Sequence, residues 1–455
     1  MSADAGGGEW GYVGSREGGQ PTYSWQEPAE KPRVAPAPEP ANMPADADGN
    51  GGGGGVGYGS TPTPPVATSP STMRCLRRRR CTVVTVGVLG ALIALVLLAF
   101  LAFGKDADPD DNLLLVSVIF RHGDRTPSDI YPTDPHQEDA WPEGLGALTN
   151  EGKAQMFALG ERLRRRYGRF VGAQYKPQTL RVDSSAADRC LMSAGALLAG
   201  LMPPEGEQRW HPDLAWQPIP VHYVARERDT KLAAKKPCPR YDEELQKAYA
   251  SPEIQALNEE NKDLYQYLTT HAGKPISDIT AVEFLYNTLL IEKIHKLDLP
   301  EWTNSVFPDK MKQLAAKSLA IFTHNDFMKR IRGGPLLKEV VDHMSKKAED
   351  TVKNEGRMHL FSAHDLTIVN VWRTLGFTEL LHVGYGASLI FELRWIEQGV
   401  NAEVKVLYLN SSSAEPINLK IPGCSQPCVI GAFVNLIQHN LPTDTDWNKE
   451  CGLPS

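Results

Sequence analysis

Hydrophobic and polar positions along the chain fall into blocks of different period. The first apolar block, Thr82 to Phe103, is uncharged and rich in Val, Leu and Ala. Its length suits a transmembrane helix, which needs about 20 residues. The second, Leu113 to Phe120, is short, β-branched and free of charge, and predicts a buried parallel strand. Beyond it the pattern predicts a helix from Thr149 or Asn150, as N-cap, through Tyr167, a short strand at Leu180–Val182 and a helix from Asp188 to Leu201 stopped by Pro203 and Pro204. Trp216 to Val224 alternates as a strand, interrupted by prolines that suit a sheet edge. From about 240 to 332 the texture changes to polar helices, such as Glu283–Lys296 and Pro308–Phe322, and reads as an inserted α-helical cap. A strand at Met358–Ala363 follows, then a helix at Leu366–Leu375, strands at Ala387–Trp395 and Val404–Leu409, and a helix at Val429–His439. Strands alternating with helices predict an α/β fold with a mostly parallel sheet covered on both faces.

Charge gives the amino-terminal quarter its organisation. Arg74 and Arg77 to Arg80 precede the long apolar run, and Asp106, Asp108, Asp110 and Asp111 follow it. The positive-inside rule then predicts a cytoplasmic amino terminus and a carboxyl-terminal domain that is lumenal or extracellular. The expected division is a disordered tail over 1–72, a basic juxtamembrane segment over 73–81, a single-pass signal anchor over 82–103 and a catalytic domain over 113–455. The tail is rich in Gly, Pro, Ala and Ser and has no apolar periodicity. A buried core helix and a signal cleaved after Ala102-Phe103-Gly104 are the competing readings of the apolar run. Cys75 and Cys81 border it on the basic side, where palmitoylation or free thiols both fit. A net charge of −7 gives no support for a nucleic-acid partner.

The chemistry concentrates where the first predicted strand of the domain ends, in Arg121-His122-Gly123-Asp124-Arg125-Thr126-Pro127. Open α/β sheets keep their sites at the carboxyl ends of strands. A neutral imidazole can attack phosphorus, and two guanidinium forks can hold phosphoryl oxygens bidentately. Gly123 lets the backbone turn or approach a ligand closely. These residues suit phosphoryl transfer.

The motif resembles the Arg-His-Gly-x-Arg-x-Pro signature of the histidine acid phosphatases, the prostatic and lysosomal type. Met358 to Ala363 ends in His364-Asp365, with Thr367 in place, and is similar to the family's Ser-Ala-His-Asp-x-Thr setting. Asp188-Arg189 with Leu191-Met192-Ser193-Ala194 resembles the segment that supplies a third phosphate-binding arginine. The likeness runs from about Leu113 to Cys451, and implies a phosphoglycerate-mutase-like core and an acid phosphatase. It implies His122 as nucleophile, Asp365 as proton donor, and Arg121, Arg125, Arg189 and His364 as substrate-binding groups. It also implies disulfides Cys238–Cys451 and Cys424–Cys428, leaves Cys190 over, and lacks a third bridge because Ile291 and Ser388 stand where its cysteines are expected. Asp183 and Ala186 depart from the family, where an arginine and an aspartate are expected, and an acid at 183 would weaken anion binding or shift its pH dependence.

No metal or other cofactor is implied, since three arginines supply the positive charge. The expected partners are a small-molecule or protein phosphomonoester and, through one helix, a membrane of the cell surface, Golgi or lysosome; a homodimer is compatible. Asn410-Ser411-Ser412 is a glycosylation sequon on the predicted lumenal side. A Golgi glycan or inositol-polyphosphate phosphatase is the alternative enzyme. An inactive phosphatase-fold receptor or scaffold is the alternative of another class, disfavoured by the intact Arg121, His122, Arg125, His364 and Asp365.

Overall fold

Leu113–Arg121 (β3) lies at the centre of a seven-stranded sheet and is buried along almost its whole length. Its side chains divide between the two faces. Leu115 and Ile119 enter one hydrophobic cluster, while Val116, Val118 and Phe120 enter another. A strand covered on both faces has no use for polar alternation, which is why its sequence is a continuous apolar run. The computed structural model describes residues 12–17, 20–25, 112–349, 356–396 and 401–453. The strands Tyr12–Glu17 (β1) and Gln20–Trp25 (β2) form an antiparallel pair within the stretch expected to be a disordered tail. The rest of 1–72 and the apolar run 82–103 lie outside the described residues. Among the described residues no helix is long and apolar enough to cross a membrane.

The helix Asn150–Val171 (α1) starts where Thr149 accepts a hydrogen bond from Gly152 N. It packs against Asp188–Leu201 (α2) on one face of the sheet, backbone to backbone. A Cβ at Gly160 would lie 2.0 Å from Leu197 O, and one at Gly200 would lie 2.2 Å from Phe157 O. On the other face lie Gly334–Ala348 (α9), Asp365–Thr374 (α10) and Ile430–Ile437 (α11). In chain order between Tyr223 and α9 come six more helices: Pro239–Tyr249 (α3), Pro252–Glu260 (α4), Lys262–Ala272 (α5), Ile279–Ile294 (α6), Asp309–Ile321 (α7) and Asp326–Arg332 (α8). They pack in a cluster of their own, which Trp447 from Asp444–Glu450 (α12) joins. Cys238, just before α3, is bonded to Cys451, and Cys424 to Cys428.

The strands Leu180–Ser184 (β4), His222–Tyr223 (β5), Met358–Ala363 (β6), Ser388–Ile396 (β7), Asn401–Leu409 (β8) and Ile417–Leu419 (β9) complete the sheet in the order β5-β4-β6-β3-β7-β8-β9. Two expectations need correction. The sheet is mixed rather than mostly parallel: β5, β4, β6 and β3 pair in parallel, but β3–β7, β7–β8 and β8–β9 are antiparallel. Only four residues separate β7 from β8, too few for the crossover that parallel pairing requires. The strand expected over Trp216–Val224 is reduced to His222–Tyr223, because Pro218 and Pro220 carry no N–H for the ladder.

Candidate active site

Three parallel strands end level with one another. Arg121 pairs with Ala363 across β3 and β6, and Ser184 with Ser362 across β4 and β6. The ladder runs one residue further on each side: His122 N donates to Ala363 O at 3.0 Å, and Ser185 N to Ser362 O at 2.9 Å. His122, Ser185 and His364 therefore leave the sheet together, where parallel strands present their ligand sites.

His122 is 2% exposed. Its Nδ1 lies 2.8 Å from Gly123 O, which can only accept, so Nδ1 carries the hydrogen and Nε2 keeps a lone pair. Arg189 Nε donates to that Nε2 at 3.2 Å. Burial, then the charges of Arg189, Arg121, His364 and Arg125, hold the imidazole well below its usual pKa. The ring is thus neutral at mildly acidic pH, where an ordinary histidine would be protonated.

Arg121 is fixed at its tip. Nη1 donates to Val383 O at 2.6 Å, Nη2 pairs with Asp365 Oδ2 at 2.8 Å, and the guanidinium lies 4.2 Å above the Tyr385 ring. Arg125 Nη1 donates to Thr126 O at 2.8 Å. The buried Nε atoms of Arg121 and Arg125 have no hydrogen-bond partner among the described residues. Two orphaned cationic donors beside a neutral imidazole suit an anion.

Asp365 is the first residue of α10 and accepts from Leu366 N at 2.7 Å. Burial alone would raise its pKa. Arg121, Arg125, His364 and the Leu366 N–H outweigh burial and hold the carboxyl below its ordinary value. His364 Nε2 lies 2.9 Å from Ser185 Oγ, and its backbone N donates to Thr367 Oγ1 at 3.2 Å. Burial and Arg189 push His364 well below its usual pKa against the pull of Asp365.

The remaining motif residues hold this arrangement. Gly123 N donates to Ser193 Oγ at 3.1 Å, tying the loop to α2. Gly123 approaches backbone rather than ligand, since a Cβ there would meet Gly152 O at 2.3 Å. Asp124 is fully buried, and its Oδ2 accepts from Thr149 Oγ1 at 2.6 Å and lies 2.8 Å from His295 Nε2 on the helical block. Asp183 is gripped by Arg181 at 2.9 and 3.0 Å, so the anion-weakening charge expected there is compensated locally. Cys190 is a buried free thiol 3.8 Å from His364 Nε2, and burial raises its pKa to about 12. Ser185, Tyr385 and His295 escape a motif search because they sit outside the signature segments.

Residues 112–408 match the family described as Histidine phosphatase superfamily (branch 2). The chain belongs to that family. It is 36% identical over 348 residues to lysosomal acid phosphatase of Rattus norvegicus, covering 76% of this chain and 81% of the relative. It is 35% identical over 344 residues to prostatic acid phosphatase of Homo sapiens, covering 74% and 88%. The apo Hafnia alvei phytase structure superposes with a TM-score of 0.57 over 75% of this chain and 98% of that one, at 19% identity, a likeness of histidine phosphatase fold.

Proposed function

We propose that this histidine phosphatase is an acid phosphomonoesterase that works through a phosphohistidine on His122. One observation carries the reading: the Nδ1–H of His122 is committed to Gly123 O, which leaves Nε2 as an uncharged nucleophile among three arginines. The names of its relatives, lysosomal and prostatic acid phosphatase, support the same activity.

In the first step Nε2 attacks phosphorus, the ester P–O bond breaks, and Asp365 delivers a proton to the departing oxygen. Phosphorylating the Nδ1–H tautomer leaves a cationic ring, a better leaving group for the second step. Water then attacks phosphorus, the P–N bond breaks, and the Asp365 carboxylate takes the water proton. Arg121, Arg125 and Arg189 bind the equatorial oxygens, and His364 adds a donor. Arg189 now occupies the lone pair of His122, so an arriving phosphoryl group displaces it and takes over its charge. The first turn of α10 contributes the favourable end of its dipole.

The topology belongs to the same proposal: a single-pass protein with the catalytic domain lumenal or extracellular. Arg77–Arg80 and the aspartates after Phe103 support it, as do the lysosomal relative and an exposed Asn410. Endoglycosidase treatment of the membrane fraction should shift the band by one glycan.

The test of the chemistry is His122→Ala. Turnover of phosphate esters should vanish with the fold intact, and acid-labile phosphate should be trapped on wild type only. A folded mutant with wild-type rates overturns the nucleophile assignment.

A further inference from the structure

On the helical-block side of the arginines lies a narrow chamber whose far wall takes no part in the phosphoryl contacts. Arg121, Arg125 and Asp365 form one wall, and Glu283, Asn287 and His382 face them. Neither His122 nor Arg189 lines it. The proton donor opens onto this side, so a departing alcohol that takes its proton from Asp365 leaves through here.

The sequence places the facing wall deliberately. Glu283, Asn287 and Leu290 recur at i, i+4 and i+7 on α6, and so share one face. The opposite face, with Val282, Leu285 and Leu289, is buried in the cluster of the helical block. Ala315 and Leu319 on α7 give the chamber an apolar floor. Asn287 Nδ2 donates to Glu283 Oε1 at 2.5 Å, which fixes the carboxyl towards the arginine wall.

The wall carries little charge. Burial, and then the neighbouring Asp365, raise Glu283 to about 8, so it is a neutral hydrogen-bonding acid at acidic pH. Burial, with Arg121 and Lys312, lowers His382 to about 4, so it is neutral as well. Lys312 itself is exposed and does not line the chamber. Among the described lining residues the only cations are Arg121 and Arg125, both engaged by the phosphoryl group being transferred.

We propose that Glu283, Asn287 and His382 form the leaving-group subsite, and that it selects monophosphates of neutral, hydroxyl-bearing alcohols over leaving groups that carry a second phosphate. The inference rests on the phosphatase reading and names its substrate class. Hydroxyls find partners on Glu283 and Asn287. A second phosphate finds no cation to replace its water.

Two matched substrate pairs test this on the full-length protein in detergent. Glycerol 2-phosphate and isopropyl phosphate differ in the flanking hydroxyls; glucose 6-phosphate and glucose 1,6-bisphosphate differ in the second phosphate. Wild type should favour the first member of each pair by about tenfold in kcat/KM, the worth of one or two hydrogen bonds. Glu283→Leu should bring the hydroxyl preference towards one, and Glu283→Gln should retain most of it. Glu283→Lys should shrink the discrimination against the bisphosphate. Because each readout is a ratio within one preparation, partial misfolding does not distort it. Flat ratios in wild type, or ratios that Glu283→Leu and Glu283→Lys leave unchanged, overturn the subsite. No turnover of p-nitrophenyl phosphate at all would sink the phosphatase reading and this inference together.

Discussion

Gly123→Ala tests the link between backbone packing and chemistry. The added Cβ would sit 2.3 Å from Gly152 O and 2.8 Å from Gly152 C and Cα, where real Cβ atoms keep at least 3.0 Å. These are backbone atoms in the first turn of α1, so no side chain can swing away. The loop must shift by the missing fraction of an ångström. His122, just before it, cannot follow freely, because its N and O are bonded to Ala363 O and Gly386 N. The movement therefore falls on Gly123 O, the acceptor that fixes the His122 tautomer. Overpacking of this kind costs about 1–3 kcal/mol of stability. A misplaced nucleophile of the same order loses about 10²-fold in rate. Steady-state kinetics on p-nitrophenyl phosphate should show kcat falling by about that factor, with a lower melting temperature. Gly195→Ala on α2 is the control: nothing lies within 4 Å of its added Cβ, and the helix gains about 1 kcal/mol from alanine. A Gly123→Ala enzyme with wild-type kcat would refute the claim that this contact positions His122.

Two further outcomes follow from the charges. Asp365→Asn should slow alkyl phosphates by about 10²–10⁴-fold and activated aryl phosphates far less, since only the former need a proton; equal losses would make Asp365 a positioning group for Arg121 and His364. Glu392, 1% exposed in β7, accepts from Tyr167 Oη at 2.5 Å, Arg166 Nη2 at 2.9 Å and Arg394 Nε at 2.7 Å. Burial opposes ionisation, but Arg394, Tyr167 and Arg166 hold its pKa below the ordinary value. A depressed folded pKa means stability present above the unfolded pKa and lost as pH falls through the folded one. Glu392→Gln should therefore destabilise strongly at neutral pH, by about 3 kcal/mol for a broken buried pair, and progressively less as the pH falls below the ordinary carboxylate range. Thermal melts across that range check it, and a loss independent of pH would argue against a native carboxylate.

Much of this site was legible because its residues are adjacent in sequence to strand ends. An apolar run that stops at Arg121-His122, and another that stops at His364-Asp365, place four candidate residues at neighbouring strand ends from the sequence alone. The sheet is less legible. Ala387–Trp395 and Val404–Leu409 have no helix between them, the local sign of antiparallel pairing, yet the general alternation of strands and helices suggested parallel order. Trp216–Val224 has the period of a strand but lacks the donors. Glu283 and His382 carry no local signal at all. The role proposed for them depends on α6 and the loop before β7 facing the arginines across long sequence separations, which no spacing rule encodes.

If Asp365 is the proton donor proposed above, its pairing with Arg121 bears on where the catalytic proton originates. In the free enzyme Asp365 is held below its ordinary pKa, so at pH 5 it is a carboxylate with nothing to donate. Expelling an alkoxide still requires a proton. A phosphomonoester has a second pKa of about 6 and reaches an acidic site mainly as a monoanion, carrying one. When its oxygens take the Arg121 donors, Asp365 loses its partner and gains an anion beside it, and both changes raise its affinity for a proton. The substrate proton can then pass to Asp365, leaving a bound dianion and a competent acid. The alkaline limb of kcat/KM should therefore follow the second pKa of the substrate. Two esters whose second pKa values differ by about one unit should show limbs displaced by a similar amount. A limb fixed at one pH for both would mean that the enzyme carries the proton before substrate arrives, and that Asp365 is not ionised in the free state.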